Sequence, residues 1–276
     1  MIQDIGPKKL NNHFENLQPD DESSMLQFRE GKLLCRYDEE YGTLTFPRKK
    51  EMKELSDTVF LFSIGSAGYF LANPESSAPK EYSLYSMNEI RGFHLQSNES
   101  IFAAYTAFHL WKWYSANRFC GSCGSRTVRD TEERALVCNA CGRKIYPRIN
   151  PAVIIGVING ERLLLTKYRT GFGHNALVAG FTEIGETMEE TVAREVMEET
   201  GLKVKNIRYY KSQPWGIAED LLAGFYCEVD GNDRIRMDKT ELKYAEWVER
   251  QEIELQPTNY SLTNEMMRMF RDGKIH

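Results

Sequence analysis

Between Gly180 and Leu202 the chain reads Gly-Phe-Thr-Glu-Ile-Gly-Glu-Thr-Met-Glu-Glu-Thr-Val-Ala-Arg-Glu-Val-Met-Glu-Glu-Thr-Gly-Leu. The middle of this stretch predicts a helix: Thr187 serves as N-cap, Glu190 three residues on closes a capping box, and Gly201 supplies the stop. Glu195, Glu198 and Glu199 then stand at i, i+3 and i+4 and share one arc of the helix surface. Like charges at that spacing repel by a few tenths of a kcal/mol each, so the pattern calls for a compensating cation. Carboxylate oxygens suit Mg²⁺ or Mn²⁺, which retain several waters and take further oxygens from substrate phosphates. A solvated acidic face is the ordinary explanation of such residues, and only the wider pattern argues against it here.

That wider pattern runs Gly180, five residues, Glu186, seven residues, Arg194-Glu195-Val196, one residue, Glu198-Glu199, one residue, Gly201-Leu202. It resembles the Nudix box at each defining position. The resemblance implies a hydrolase of nucleoside diphosphates linked to another moiety. It also implies an α+β fold of the α/β/α sandwich type, with a metal held by Glu195, Glu198, Glu199 and the backbone at Gly180. Arg194 beside the cluster suits a bidentate hold on Glu186, and so an orienting role. By the same resemblance Glu199 is the favoured base, and Glu241 is a further metal ligand from outside the box.

Upstream, Cys120-Gly-Ser-Cys123-Gly and Cys138-Asn-Ala-Cys141-Gly lie 14 residues apart. Two such knuckles complete a tetrahedral four-cysteine zinc site with no open position, hence a structural one. Cys35 and Cys227 stand alone, so cysteine usage points to metal in a reducing compartment, not to disulfides. No apolar run reaches membrane-spanning length and the first residues lack a signal-peptide core, which predicts a cytoplasmic protein without membrane partners. A net charge of −5 argues against a broad nucleic-acid footprint. Residues 116–150 nevertheless hold seven basic residues against three acidic ones, which suits a phosphate-bearing ligand nearby.

These features divide the chain into a mixed-sheet N-terminal domain over 1–115, a zinc ribbon over 116–150 and the box-bearing domain over 151–276. In the first, Lys32–Tyr37, Thr43–Phe46, Val59–Ile64 and Tyr69–Ala72 read as strands, whose task is packing and dimer contacts. Ile101, Tyr105, Phe108 and Trp111 predict an amphipathic helix between Ser100 and Ser115, with His109 as an ordinary polar residue on it. His13, His94, His174 and His276 likewise lack a ligand pattern. From residue 151, strands are expected at Ala152–Ile158, Arg162–Tyr168, Ala176–Phe181, Val204–Tyr210, Leu221–Val229 and Tyr244–Val248. A core-facing helix over Asn259–Arg271 follows them.

The ribbon placed directly before the box, Tyr146-Pro147-Arg148, Val178-Ala179-Gly180-Phe181 and Ser212-Gln213-Pro214-Trp215 together resemble the NADH pyrophosphatases. That resemblance implies hydrolysis of NAD(H) to NMN(H) and AMP by a homodimer, and in some members removal of NAD caps from RNA. It places Phe181, Tyr146, Gln213 and Trp215 at the substrate, with Phe181 and Tyr146 stacking on a base. Gly216-Ile217-Ala218-Glu219-Asp220 departs from the family's proline-rich continuation. The loop is therefore expected to be more flexible, and ADP-ribose, FAD, CoA or a deoxynucleoside triphosphate become alternative substrates. A non-catalytic nucleotide sensor is the alternative from another class.

Overall fold

A computed structural model describes residues 1–170 and 173–275, so His276 lies outside the described residues. The chain divides into two compact units, Ile2–Arg148 with Trp215–Glu219, and Ile149–Pro214 with the stretch from Asp220 onward. Among the described residues no helix is long and apolar enough to cross a membrane.

The first unit holds strands β1 (Leu10–Asn11), β2 (Ser24–Leu26), β3 (Phe28–Arg29), β4 (Lys32–Asp38), β5 (Thr43–Thr45), β6 (Val59–Ile64), β7 (Ala67–Leu71) and β8 (Ser83–Ser86). Helices α1 (Met87–Arg91) and α2 (Glu99–Ala116) follow. One sheet runs β1-β6-β7-β2 and another runs β3-β4-β5, with β8 paired to β4. Strands β2 and β8, three and four residues long, are too short to show a clear alternation. α2 starts one residue before its expected span and buries Ile101 and Tyr105 of the expected stripe together with Phe102, Leu110 and Trp113, whereas Phe108 and Trp111 are only partly buried. The remainder of this unit is a three-stranded ribbon, β9 (Thr127–Arg129), β10 (Leu136–Cys138) and β11 (Lys144–Ile145), in the order β11-β10-β9.

The second unit is built on β12 (Asn150–Asn159), β13 (Arg162–Tyr168), β14 (Val178–Phe181), β15 (Val204–Trp215), β16 (Asp220–Val229) and β17 (Leu242–Glu249), with α3 (Met188–Thr200) and α4 (Leu262–Arg271). Its sheet has the order β15-β16-β12-β13-β17, and β14 pairs with β12. β12 and β16 run parallel, whereas the other pairs given for this sheet are antiparallel. One edge of β12 is shared out. Ile158 and Asn159 pair with β13 next to the turn at Gly160, and Ala152–Ile155 pair with β14. β13 therefore diverges from β12 after the hairpin, and β14 enters the opening, carrying Gly180 and Phe181 at its end.

α3 covers this sheet through Val192 and Val196, which pack with Val153, Ile155, Leu164, Val178 and Phe225. α4 begins at Leu262, three residues after its expected start, and buries Leu262, Met266, Met267 and Phe270, while Met269 stays partly exposed. The Met266 carbonyl accepts from the Tyr226 hydroxyl at 2.7 Å.

The segment after Trp215 is not loose. Trp215 is buried, with its ring edge-on to Tyr105 at 5.1 Å and the Arg91 guanidinium over it at the same separation. Glu219 pairs with Lys112 at 2.5 Å. Gly216 lies so close to α2 that a Cβ there would stand 2.0 Å from the Tyr105 carbonyl oxygen. Packing on α2 thus stands where the family's prolines would be. Gly216→Ala is predicted to lower stability by about 1–3 kcal/mol through overpacking against backbone, read as a fall in the urea midpoint at unchanged slope.

Candidate active site

α3 forms as its sequence requires. Thr187 Oγ1 accepts from the Glu190 amide at 3.2 Å, and the Glu190 carboxylate accepts from the Thr187 amide at 2.8 Å. The helix ends where Gly201 adopts φ +70°, a left-handed conformation that costs glycine little.

Arg194 organises the acidic side chains. Its Nε and Nη2 donate to the two oxygens of Glu186 at 2.5 and 2.9 Å, the bidentate pairing expected from sequence. Nη1 donates to Glu195 at 2.8 Å and to Glu198 at 2.9 Å, and Nη2 also reaches the Phe181 carbonyl at 2.9 Å. Glu186 further accepts from the Glu183 amide and the Thr191 hydroxyl, each at 3.0 Å. The Arg194 contacts, followed by these hydrogen bonds, hold the Glu186 carboxyl down at about 2.

The three carboxylates predicted to share an arc differ sharply in surroundings. Glu198 is exposed, Glu195 is half-buried and Glu199 is only 2% exposed. Burial raises the Glu195 carboxyl, against the pull of Arg194. Burial also pushes Glu199 up to about 8, with the charges of Glu195 and Glu241 adding to the rise and a hydrogen bond from Tyr168 opposing it. Glu241 itself is exposed just before β17, and its carbonyl accepts from the Arg169 amide at 3.0 Å. Its charge adds to the rise of both Glu195 and Glu199.

Gly180 is required for a reason the sequence did not disclose. A Cβ there would lie 2.0 Å from the Glu195 carboxylate, so the missing side chain is the space that this carboxylate occupies. Carboxylates on one helical turn, Glu199 buried and Glu195 half-buried, are the hard oxygen donors that suit a divalent cation. The glutamate oxygens are nevertheless spread out. Among the described residues, the one set of three or more metal-binding side chains whose ligand atoms all lie within 4.8 Å of each other is the four cysteines.

Those cysteines make the second centre, on the ribbon. Cys120 and Cys141 sulfurs lie 3.7 Å apart, Cys123 and Cys138 3.4 Å, and Cys123 and Cys141 3.6 Å. A tetrahedron of Zn–S bonds has edges of about 3.8 Å, so the set fits zinc. The two knuckles repeat each other: Gly124 donates to the Cys120 carbonyl and Gly142 to the Cys138 carbonyl, both at 2.9 Å.

Residues 148–270 match the family described as NUDIX domain. The chain carries a Nudix domain. Residues 115–146 match the NADH pyrophosphatase zinc ribbon domain, so this Nudix domain is preceded by a structural zinc ribbon. Proteins named NAD-capped RNA hydrolase NudC are similar to it. One from Pectobacterium atrosepticum is 42% identical over 139 residues, 50% of this chain and 53% of that protein. One from Shigella flexneri is 40% identical over 151 residues, 54% and 58% of the two. The match thus spans little more than half the length of these relatives. A NUDIX hydrolase crystal structure from Nitrosomonas europaea shares the fold at TM-score 0.50 and 21% identity, over 56% of this chain and 91% of that one.

The four residues expected at a substrate fare differently around this Nudix domain. Phe181 is 51% exposed at the end of β14, and the neighbouring loop residue Ile184 is fully exposed. Tyr146, in the other unit, is 54% exposed and donates to Glu133 at 3.0 Å. Gln213 is buried instead. Its amide donates to the Tyr260 carbonyl at 2.8 Å and accepts from the Leu262 amide at 2.7 Å, tying β15 to the start of α4. Trp215 is likewise enclosed in packing. Polar and aromatic residues in a motif give no sign of which partners the fold itself supplies. Tyr168, which sequence reading treated only as a strand end, touches Glu199. No local signal marked it, since that contact spans 31 residues.

Glu199 also sets a pH dependence. Its folded-state value lies above the ordinary 4.5, so the neutral form contributes stability that is complete below about 4.5 and is lost as pH rises through about 8. In buffer free of magnesium and manganese, the thermal midpoint should fall across that window, and Glu199→Gln should flatten the fall. An unchanged slope in the variant would show that Glu199 is not the group responsible.

Proposed function

We propose that this protein is a divalent-metal-dependent hydrolase that cleaves the diphosphate linkage of NAD(H) to NMN(H) and AMP, and accepts the same linkage at the 5′ end of NAD-capped RNA. The observation that carries the reading is the cluster itself: Glu195 fitted against Gly180, Glu198 on the same guanidinium, and Glu199 buried beside them. The zinc ribbon and the names of the similar proteins narrow it from a Nudix hydrolase in general to this substrate class.

Glu195, Glu198, Glu199, Glu241 and the Gly180 carbonyl are the groups that would hold Mg²⁺ or Mn²⁺. When bound, such a cation neutralises diphosphate oxygens and lowers the pKa of a coordinated water. Arg194 and Glu186 keep the surrounding carboxylates in place. Glu199 is the base: its carboxylate takes a proton from the attacking water as the oxygen–phosphorus bond forms and the bridging oxygen leaves with the other nucleotide. A raised proton affinity suits that task, because a strongly acidic carboxylate would return the proton.

Phe181 presents an exposed ring to stack on a base, and Tyr146 presents another, supplied in a homodimer by the partner subunit; each stack contributes about 1–3 kcal/mol. Unpaired thiols committed to zinc fit a cytoplasmic setting.

Purified zinc-loaded protein given Mg²⁺ or Mn²⁺ should release AMP from NADH, and Glu199→Gln should lower kcat by at least about 100-fold while leaving zinc content and folding intact. Full activity in that variant would remove Glu199 as base. A substrate panel in which ADP-ribose or FAD outruns NADH would replace the substrate assignment while keeping the chemistry.

A further inference from the structure

The Tyr168 hydroxyl has no part in the chemistry above, yet it lies against the residue on which that chemistry turns. It stands 2.9 and 3.3 Å from the two carboxylate oxygens of Glu199. It also accepts the Ala179 amide hydrogen at 3.0 Å. A phenol has one proton to give. With an amide filling an acceptor position, that proton goes to the nearer Glu199 oxygen, and the Ala179 carbonyl at 3.3 Å is the weaker choice.

The strand geometry that produces this contact is specific. Leu164, Thr166 and Tyr168 alternate onto one face of β13, and Leu164 packs in the core with Val192 and Val196 of α3. Between Lys167 and Tyr168 the pairing with β17 slips, so that Lys167 opposes Tyr244 while Tyr168 opposes Leu242. Such a bulge bends a strand and re-aims the side chain beside it. Here it sits at the end of β13, and the same slip carries Glu241 to within backbone hydrogen-bonding distance of Arg169.

We infer that Tyr168 is a positioning residue for Glu199. Its proton goes to the nearer carboxylate oxygen and fixes the side-chain rotamer, so that the other oxygen would be available to a cation. A hydrogen bond to a buried carboxylate also favours its ionised form, which is the form needed both to ligate and to accept a proton. The inference rests on the assignment of Glu199 to the reaction, but its geometry does not depend on which dinucleotide is cleaved.

Tyr168→Phe keeps the ring and removes the hydroxyl. In the full zinc-loaded chain, calorimetric affinity for Mn²⁺ should fall about tenfold or more, as losses of groups that orient metal ligands do. With NADH, kcat should fall by a similar factor while KM stays within about twofold. The decisive comparison uses Glu199→Gln as background. There the same substitution should change Mn²⁺ affinity by less than about twofold, because the two residues act as a unit. Equal losses with and without Glu199 would mean that Tyr168 only steadies the Ala179 backbone, and would overturn the inference; so would wild-type affinity and kcat in the single variant. If the wild-type protein hydrolyses no dinucleotide, the proposed function fails, yet the Mn²⁺ measurements still decide the role of Tyr168.

Discussion

The arrangement depends on one guanidinium. Arg194 donates to Glu186, Glu195, Glu198 and the Phe181 carbonyl, so a single rigid fork spans the loop, the end of β14 and a turn of α3. Lysine could not do this, since a point charge on a flexible stem has no fixed set of directions. The carboxylates around it would otherwise repel one another. Arg194 offsets part of that repulsion and leaves the rest concentrated near Glu199, the least hydrated of them.

Chemically identical side chains thereby acquire opposite proton affinities. Glu186, held at about 2, is a permanently charged strut. Glu199, buried, is pushed the other way, up to about 8. The difference arises from burial and from which donors each carboxylate meets, and not from residue type. Glycine at 180 belongs to the same design: a methyl group there would displace the Glu195 carboxylate.

Much of this was readable in the primary structure, because it is local. The capping box at Thr187 and Glu190, the left-handed stop at Gly201, the Arg194–Glu186 pair and the two zinc knuckles all join residues a few positions apart, or repeat an unmistakable spacing. The packing of the Ser212–Trp215 motif was not readable, for the opposite reason. Gln213 bonds to the chain near residue 261, and Trp215 packs on Tyr105, about a hundred residues earlier. Neither distance in sequence leaves a periodic trace. The loop after Trp215 was expected to loosen with the loss of its prolines, but proline is one source of rigidity and close packing of Gly216 on α2 is another.

What the amino-acid order determined by itself is the kind of chemistry available: oxygen ligands on one helical turn, sulfur ligands on two knuckles, and an arginine within reach of a glutamate. Helical periodicity and short-range hydrogen bonding suffice for that. Tertiary structure alone decided which glutamate would be buried, that Glu195 would lie in the space left at Gly180, and that a strand bulge would bring Tyr168 to Glu199. Those outcomes require strands β13, β14 and β17 to meet α3, and solvent exclusion is a property of that assembly, absent from any segment taken alone.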